Sequence, residues 1–237
     1  MSSRTRFLIL LAVGLVAAAC VGLGLWQLDR LRERRRENGL AAAALAQSEV
    51  AFKAMSDAAA WRRVRVTGEY EQHDIVLRGQ AHREQPGVTV VTPLRIEGGE
   101  ARVLVLRGFV PSPDANSVRL DSLREPGTVT VHGVALPLAA REDSGAPLTR
   151  SGRTTWRGLD RTALEARLGY RLPDVYVAQL PDSALPRSPR RLDLPPLSDG
   201  PHLSYAIQWF AFATIAVVGG AALAGRHRED QRGPSSS

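Results

Sequence analysis

FLILLAVGLVAAACVGLGLWQL, residues 7–28, runs for 22 residues without a charge. As a helix rising about 1.5 Å per residue it reaches roughly 33 Å, enough for a hydrocarbon core of about 30 Å. A second uncharged stretch of similar length covers 203–224. Residues of mixed polarity fill the space between. The pattern predicts a hairpin: a membrane helix at 7–28, a folded domain at 29–201, a second membrane helix at 203–224 and a short tail at 225–237. A secretory signal would also place arginines (Arg4, Arg6) before an apolar core and small residues, Ala17-Ala18-Ala19, before Cys20. The apolar run continues eight residues past Cys20, so an uncleaved helix is expected.

Small residues recur every fourth position on both stretches: Gly14, Ala18 and Gly22 on the first, Ala216, Gly220 and Ala224 on the second. Such stripes let helix backbones approach closely in lipid, and they predict the packing seam. Five arginines (Arg30, Arg32, Arg34, Arg35, Arg36) follow the first stretch, while others flank the two tails, so a plain count of basic residues gives no orientation. Short tails weigh more than a long translocated loop. Both termini are therefore expected in the cytoplasm, with the domain outside.

The chain carries 237 residues with a formal net charge of +7. Its basic residues are spread along the chain, and those that cluster do so beside a membrane segment, so nucleic acid is not an expected partner. Cys20 is the one cysteine. That excludes an internal disulfide, thiolate metal clusters and covalent c-type haem attachment.

The central domain reads as β structure. Period-two alternation rich in Val and Thr marks strands at 62–70, 74–79, 87–96, 101–110, 128–136 and 174–180, with EGGE as a hairpin turn. Asp160 as N-cap and Gly169 as stop bracket a short helix. An Ala-rich helical stem is expected at 38–55. Six prolines between 181 and 201 predict an extended strap back to the membrane. His73, His82 and His132 are scattered, and no HExxH, GxSxG, Walker or GxGxxG pattern occurs. No enzyme activity is expected.

The polar residues at the membrane boundary draw more interest. In a hairpin, the end of the first helix meets the start of the second. That places Trp26, Gln27 and Arg30 in one layer with His202, Tyr205, Gln208 and Trp209. Trp, Tyr and Arg are ordinary interface anchors. A histidine adds nothing to anchoring, whereas neutral imidazole is a good iron or copper ligand. Arg30 would suit an acidic group such as a haem propionate.

Four blocks then resemble the Surfeit locus protein family of cytochrome oxidase assembly factors. GLWQLDR (24–30) is similar to its GxWQxxR signature and PGVTVVTPL (86–94) to its PGxxVxTPL segment. VLVLRGFVP (103–111) resembles its VLVNRGWVP strand, and HLSYAIQWFAFA (202–213) its HLxYAxQWF opening. The blocks stand in family order. Phe109 and Leu106 replace the usual Trp and Asn, Val88 stands where an aromatic is common, and SDG replaces an Asn-rich lead-in.

The resemblance implies an α+β membrane protein, two transmembrane helices flanking one mainly antiparallel β domain outside the cytoplasm. It implies a chaperone-like role in the respiratory chain: maturing an aa3-type cytochrome c oxidase, with haem a passed transiently to the catalytic subunit and haem a synthase as a further partner. Under it, His202 would contact the haem iron, with Arg30, Trp26, Tyr205 and Trp209 around the cofactor. Partner contacts are expected at Gln27, Arg107, Gly108, Phe109 and Pro111. A haem-free membrane chaperone and an envelope scaffold are the alternatives.

Overall fold

The computed structural model describes residues 3–53, 59–140, 145–150 and 152–229. It divides into two compact units, Met1–Leu40 with Leu197–Ser237, and Ala41–Pro196.

The first unit holds the apolar helices. Helix α1 spans Ser3–Leu45. The second, α3, spans His202–Glu229. Phe7–Leu45 and His202–Ala222 are both long and apolar enough to cross a membrane, and large apolar side chains such as Leu8, Leu15, Ile207, Ile215 and Val218 face outward. This is the surface of a membrane protein, since lipid rather than protein must cover it.

The helices meet along positions that alternate three and four apart. On α1 these are Val13, Ala17, Cys20, Gly24 and Gln27; on α3 they are His202, Ala206, Trp209, Ala213, Ala216 and Gly220. Such spacing keeps a stripe facing its partner along a gently supercoiled pair. A Cβ added to Gly24 would lie 2.7 Å from the Phe210 ring, and one on Gly220 would lie 2.8 Å from Val13. The expected stripe on α1 is thereby corrected. Gly14, Ala18 and Gly22 are exposed, because a strict four-residue spacing drifts around the helix away from the contact. On α3, Ala216 and Gly220 do face α1; the side chain of Ala224 lies outside the described residues.

The second unit is a mixed β domain. Its strands are β1 (Val50–Ala51), β2 (Arg63–Tyr70), β3 (Ile75–His82), β4 (Gln85–Ile96), β5 (Arg102–Pro111), β6 (Thr128–Pro137), β7 (Leu148–Arg150), β8 (Arg153–Trp156) and β9 (Val175–Gln179), with helix α2 at Arg161–Leu168. They form one nine-stranded sheet in the order β1-β2-β6-β9-β5-β4-β3-β8-β7, and β2 also pairs β4. That extra pairing closes β2, β6, β9, β5 and β4 into a ring. Gly68 makes closure feasible: it pairs both Val129 of β6 and Ile96 of β4. A side chain there would meet the Arg95 carbonyl oxygen.

The alternating residues read from the sequence fill this ring. Val64, Val66, Leu94, Ile96, Val103, Val105, Val131, Val175 and Val177 form one buried cluster with Phe52. Beyond the ring, β3, β4 and β5 carry a cluster on each face. One packs Leu164 of α2 and Trp156 against Ile75, Leu77, Val91 and Leu104. The other packs Val118 and Leu123 against Val76, Val88 and Val90.

All six expected strands are present, and Asp160 caps α2, its carboxylate accepting from Ala163 N at 2.9 Å. The stem expected at 38–55 differs. The first helix runs unbroken to Leu45 and β1 follows at Val50–Ala51, because Val50 adds to the edge of β2 in parallel register with Val64; Met55 lies outside the described residues. The β7–β8 hairpin was not foreseen, since three- and four-residue strands carry too little periodicity to read.

At the β3–β4 turn, Arg83 and Glu84 have φ of 50° and 65°. A side chain in this left-handed region costs about 1–2 kcal/mol. Glu84→Gly is expected to raise stability by about 1 kcal/mol, read as a higher thermal unfolding midpoint of the full-length protein.

Candidate functional site

The residues leading into α3 set the position of His202. Pro201 precedes the helix and its carbonyl accepts from Tyr205 N at 3.1 Å and from Ser204 Oγ at 2.8 Å. Before it, the Asp199 carboxylate accepts from Arg35 Nε at 2.8 Å and Asn38 Nδ2 at 3.3 Å, tying the loop to α1. The Arg35 hydrogen bond holds the Asp199 carboxyl below its ordinary range. Sequence reasoning missed this tether, because two charges more than 160 residues apart leave no local signal.

At the head of α3, His202 Nδ1 lies 2.9 Å from Gln27 Oε1. Both residues are half-buried on the helix contact. Across the imidazole, a Cβ on Gly200 would lie 3.6 Å from Nε2, so the absence of a side chain keeps that nitrogen uncovered. Trp209 also faces inward and meets Phe212 edge-on, with ring centroids 5.9 Å apart.

The other members of the expected layer point away. Trp26 is 54% exposed and Tyr205 45% exposed; Gln208 and Arg30 are exposed too. Arg30 has no ion-pair partner among the described residues, unlike Arg32, Arg34, Arg35 and Arg36, each of which is paired. The single layer read from the sequence is thus two sets: Gln27, His202 and Trp209 between the helices, and Trp26, Arg30, Tyr205 and Gln208 on outward faces. Among the described residues no cluster of three His, Cys, Asp or Glu is placed to hold a metal ion.

The β domain has its own polar centre. Arg107 sits at a bulge in β5: Val90 pairs Gly108 and Val91 pairs Leu106, leaving Arg107 unpaired. The bulge turns its guanidinium inward, as such irregularities do. It is stacked 4.7 Å from the Tyr70 ring centroid and donates to Glu125 Oε1 at 2.6 Å and to the Leu123 carbonyl. Arg191, from the proline-rich strap, donates to the same Glu125 oxygen at 2.7 Å, to Gln179 at 3.0 Å, and to the carbonyls of Pro186 and Pro189. Burial pushes the Glu125 carboxyl up, but the hydrogen bonds from Arg107 and Arg191 outweigh it and hold it below the ordinary value. Burial raises the Tyr70 phenol, against the opposing charge of Arg107, so the hydroxyl stays protonated.

An open cavity of about 1260 Å³ lies over this centre, with Tyr70, Thr92, Arg107, Arg124 and Glu125 in its wall. Of the expected partner contacts, Arg107, Gly108 and Phe109 have little exposed surface, Arg107 reaching only the cavity wall. Arg107 and Phe109 are buried, and Gly108 lies under the Arg190 carbonyl. Pro111 is exposed.

The model of the SURF1 family matches residues 14–214, from the first apolar helix to the middle of the second. The chain belongs to the SURF1 family. An uncharacterized SURF1-like protein of Mycobacterium bovis is 29% identical over 205 residues, covering 82% of this chain and 73% of the relative. A SURF1-like protein of Rickettsia bellii is 26% identical, covering 83% and 82% of the two chains. One from Monosiga brevicollis is 26% identical, covering 86% and 82%. Within this SURF1 family chain, the GLWQLDR and HLSYAIQWF blocks contribute Gln27 and His202, which meet in a single hydrogen bond. The VLVLRGFVP block is β5, with its bulge at Arg107.

Proposed function

We propose that this SURF1 family protein is a non-enzymatic assembly factor for an aa3-type cytochrome c oxidase, holding haem a for transfer to the catalytic subunit. The observation that carries the reading is the His202–Gln27 pair, where the charge-free stretch of α1 ends and α3 begins. With Nδ1 engaged by Gln27, Nε2 is the free ring nitrogen, and the bare Gly200 leaves space beside it. These features fit His202 as the residue that would hold haem iron. Haem a, when bound, supplies an iron atom that accepts an imidazole nitrogen.

The remaining residues serve binding. Trp26, toward the end of the charge-free stretch of α1, and Tyr205, at the start of α3, offer apolar ring faces, and Arg30, without an ion-pair partner among the described residues, suits a propionate carboxylate. Trp209 stiffens the helix contact beside His202. The helices lie in the cell membrane with both termini cytoplasmic, and the β domain, outside the cytoplasm, meets the oxidase; haem a synthase is the natural donor.

The test pairs a deletion strain with complementation. Deletion is expected to diminish the haem a signal in reduced-minus-oxidised membrane spectra, and His202→Ala is expected to restore it by less than a tenth of the wild-type gain. An unchanged haem a signal in the deletion strain would overturn the assembly role. A haem-free chaperone is the second reading, favoured by the outward exposure of Trp26 and Arg30. Full restoration by His202→Ala, with loss in Trp26→Ala and Arg30→Ala, would select it.

A further inference from the structure

We infer that Gln27 is the positioning residue for His202: it fixes the imidazole tautomer and aims Nε2 away from the helix contact. The inference rests on the reading of His202 as an iron ligand, which it deepens, but its central measurement needs no haem. Gln27 Oε1 faces Nδ1 at 2.9 Å. A carbonyl oxygen only accepts, so Nδ1 must carry the proton. In a neutral imidazole that leaves the lone pair on Nε2, the nitrogen beside Gly200. An unpartnered ring would sample both tautomers and rotate.

The setting makes this contact more than surface decoration. Gln27 lies on the α1 face that meets α3, in register with Cys20 and Gly24, and is half-buried. Its neighbour Trp26 and its one-turn neighbour Arg30 are exposed, so the amide is the polar group α1 directs into the contact. A metal-binding histidine ordinarily has its second nitrogen held by an acceptor that fixes ring and tautomer, and loss of that acceptor weakens metal binding about 10–100-fold. Gln27 occupies the acceptor's place. A membrane anchor would not require a histidine whose ring is held from one side and open on the other.

The experiment uses the full-length protein in detergent with ¹⁵N-labelled histidine, at a pH where the imidazoles are neutral. His202→Ala identifies the His202 signals by subtraction. The wild type should show a protonated Nδ1 and an unprotonated Nε2. Gln27→Leu, similar in bulk but without an acceptor, should mix the tautomers; Gln27→Glu, which still accepts, should restore the wild-type pattern. In a second arm haemin is titrated as the probe, with Gln27→Leu expected to bind about 10–100-fold more weakly than wild type and Gln27→Glu to recover.

An unchanged ¹⁵N pattern in Gln27→Leu overturns the role given to Gln27, whatever haemin does. So does a Gln27→Glu protein that behaves like Gln27→Leu, since an accepting oxygen at this position would then not be what sets the tautomer. A His202→Ala protein that binds haemin as tightly as wild type overturns instead the ligand reading. The tautomer result would still decide Gln27.

Discussion

Glu125→Ala is expected to destabilise the β domain by about 3–5 kcal/mol, the range for stranding buried charge. One carboxylate, 16% exposed, serves two guanidiniums that are 2% and 3% exposed, those of Arg107 and Arg191. Removing it leaves two like charges facing each other in the interior with no anion between them. Arg191→Met should cost less, although it forfeits the bonds to Gln179, Pro186 and Pro189, because the remaining Arg107–Glu125 pair is neutral. Thermal unfolding of the full-length proteins checks the order. If Arg191→Met proves the more damaging, the strap's own hydrogen bonds outweigh the shared charge.

The same pair sets an acid limit. The Glu125 carboxyl is held below its ordinary value of 4.5 in the folded state. The unfolded chain therefore binds the proton more readily, and stability rises with pH across that interval. The contribution is complete above the unfolded value and is lost as pH falls through the lower, folded one. Asp114 adds in the same direction, since hydrogen bonds from Ser112 and Ser117 lower its carboxyl. In Glu125→Gln the stability curve should be flatter below about pH 4.5, near the ordinary glutamate range.

Much of this was open to reading in the sequence, and the rest was hidden for physical reasons. Charge-free runs of helix-spanning length declare membrane segments, because few other structures tolerate them. Period-two alternation declared β2, β4, β5, β6 and β9, because their alternate side chains fill one ring. Ring closure through β2 and β4 was invisible, since strand order depends on partners far apart in the chain. On the first helix the seam was misplaced for a different cause: Gly and Ala abundance suggested Gly14, Ala18 and Gly22, whereas Val13, Ala17 and Cys20 supply the contact. At the site, His202 stood out as a polar residue at an apolar helix start. The inward turn of Gln27, against the outward turn of Trp26 and Arg30, depends on a helix phase that only the packed pair defines. Arg107 could not be recognised as buried, because the bulge that turns it inward exists only in the paired register of β4 and β5.

Gly108→Ala is the second change with a large expected effect, because backbone rather than side chain stands in the way. At Gly108 φ is 140°, and an added Cβ would lie 2.3 Å from the Arg190 oxygen and 2.6 Å from its carbonyl carbon. A flexible side chain could turn aside; this obstacle is the strap itself. Phe109 N and Arg190 O, and Arg190 N and Phe109 O, each lie 2.8 Å apart, fastening the strap to β5 by two hydrogen bonds. Moving Arg190 by the ångström or more that a methyl group demands would break both. It would also withdraw the adjacent Arg191 from Glu125 and Gln179. The cost is then the bridge plus part of the buried charge cluster, on the order of 3 kcal/mol or more. Arg187, Arg190 and Arg191 provide the readout, for each is a trypsin site in the strap. Wild-type protein should resist cleavage there, while Gly108→Ala should be cut at least tenfold faster at these bonds, located by mass spectrometry. Equal protection in both proteins would mean that the strap does not cross Gly108 at this distance. A strap held this way also explains why Arg-Gly, and not any β-branched pair, stands in the middle of an otherwise apolar strand: the arginine needs the bulge to turn inward, and the glycine makes room for the segment that supplies its neighbour in charge.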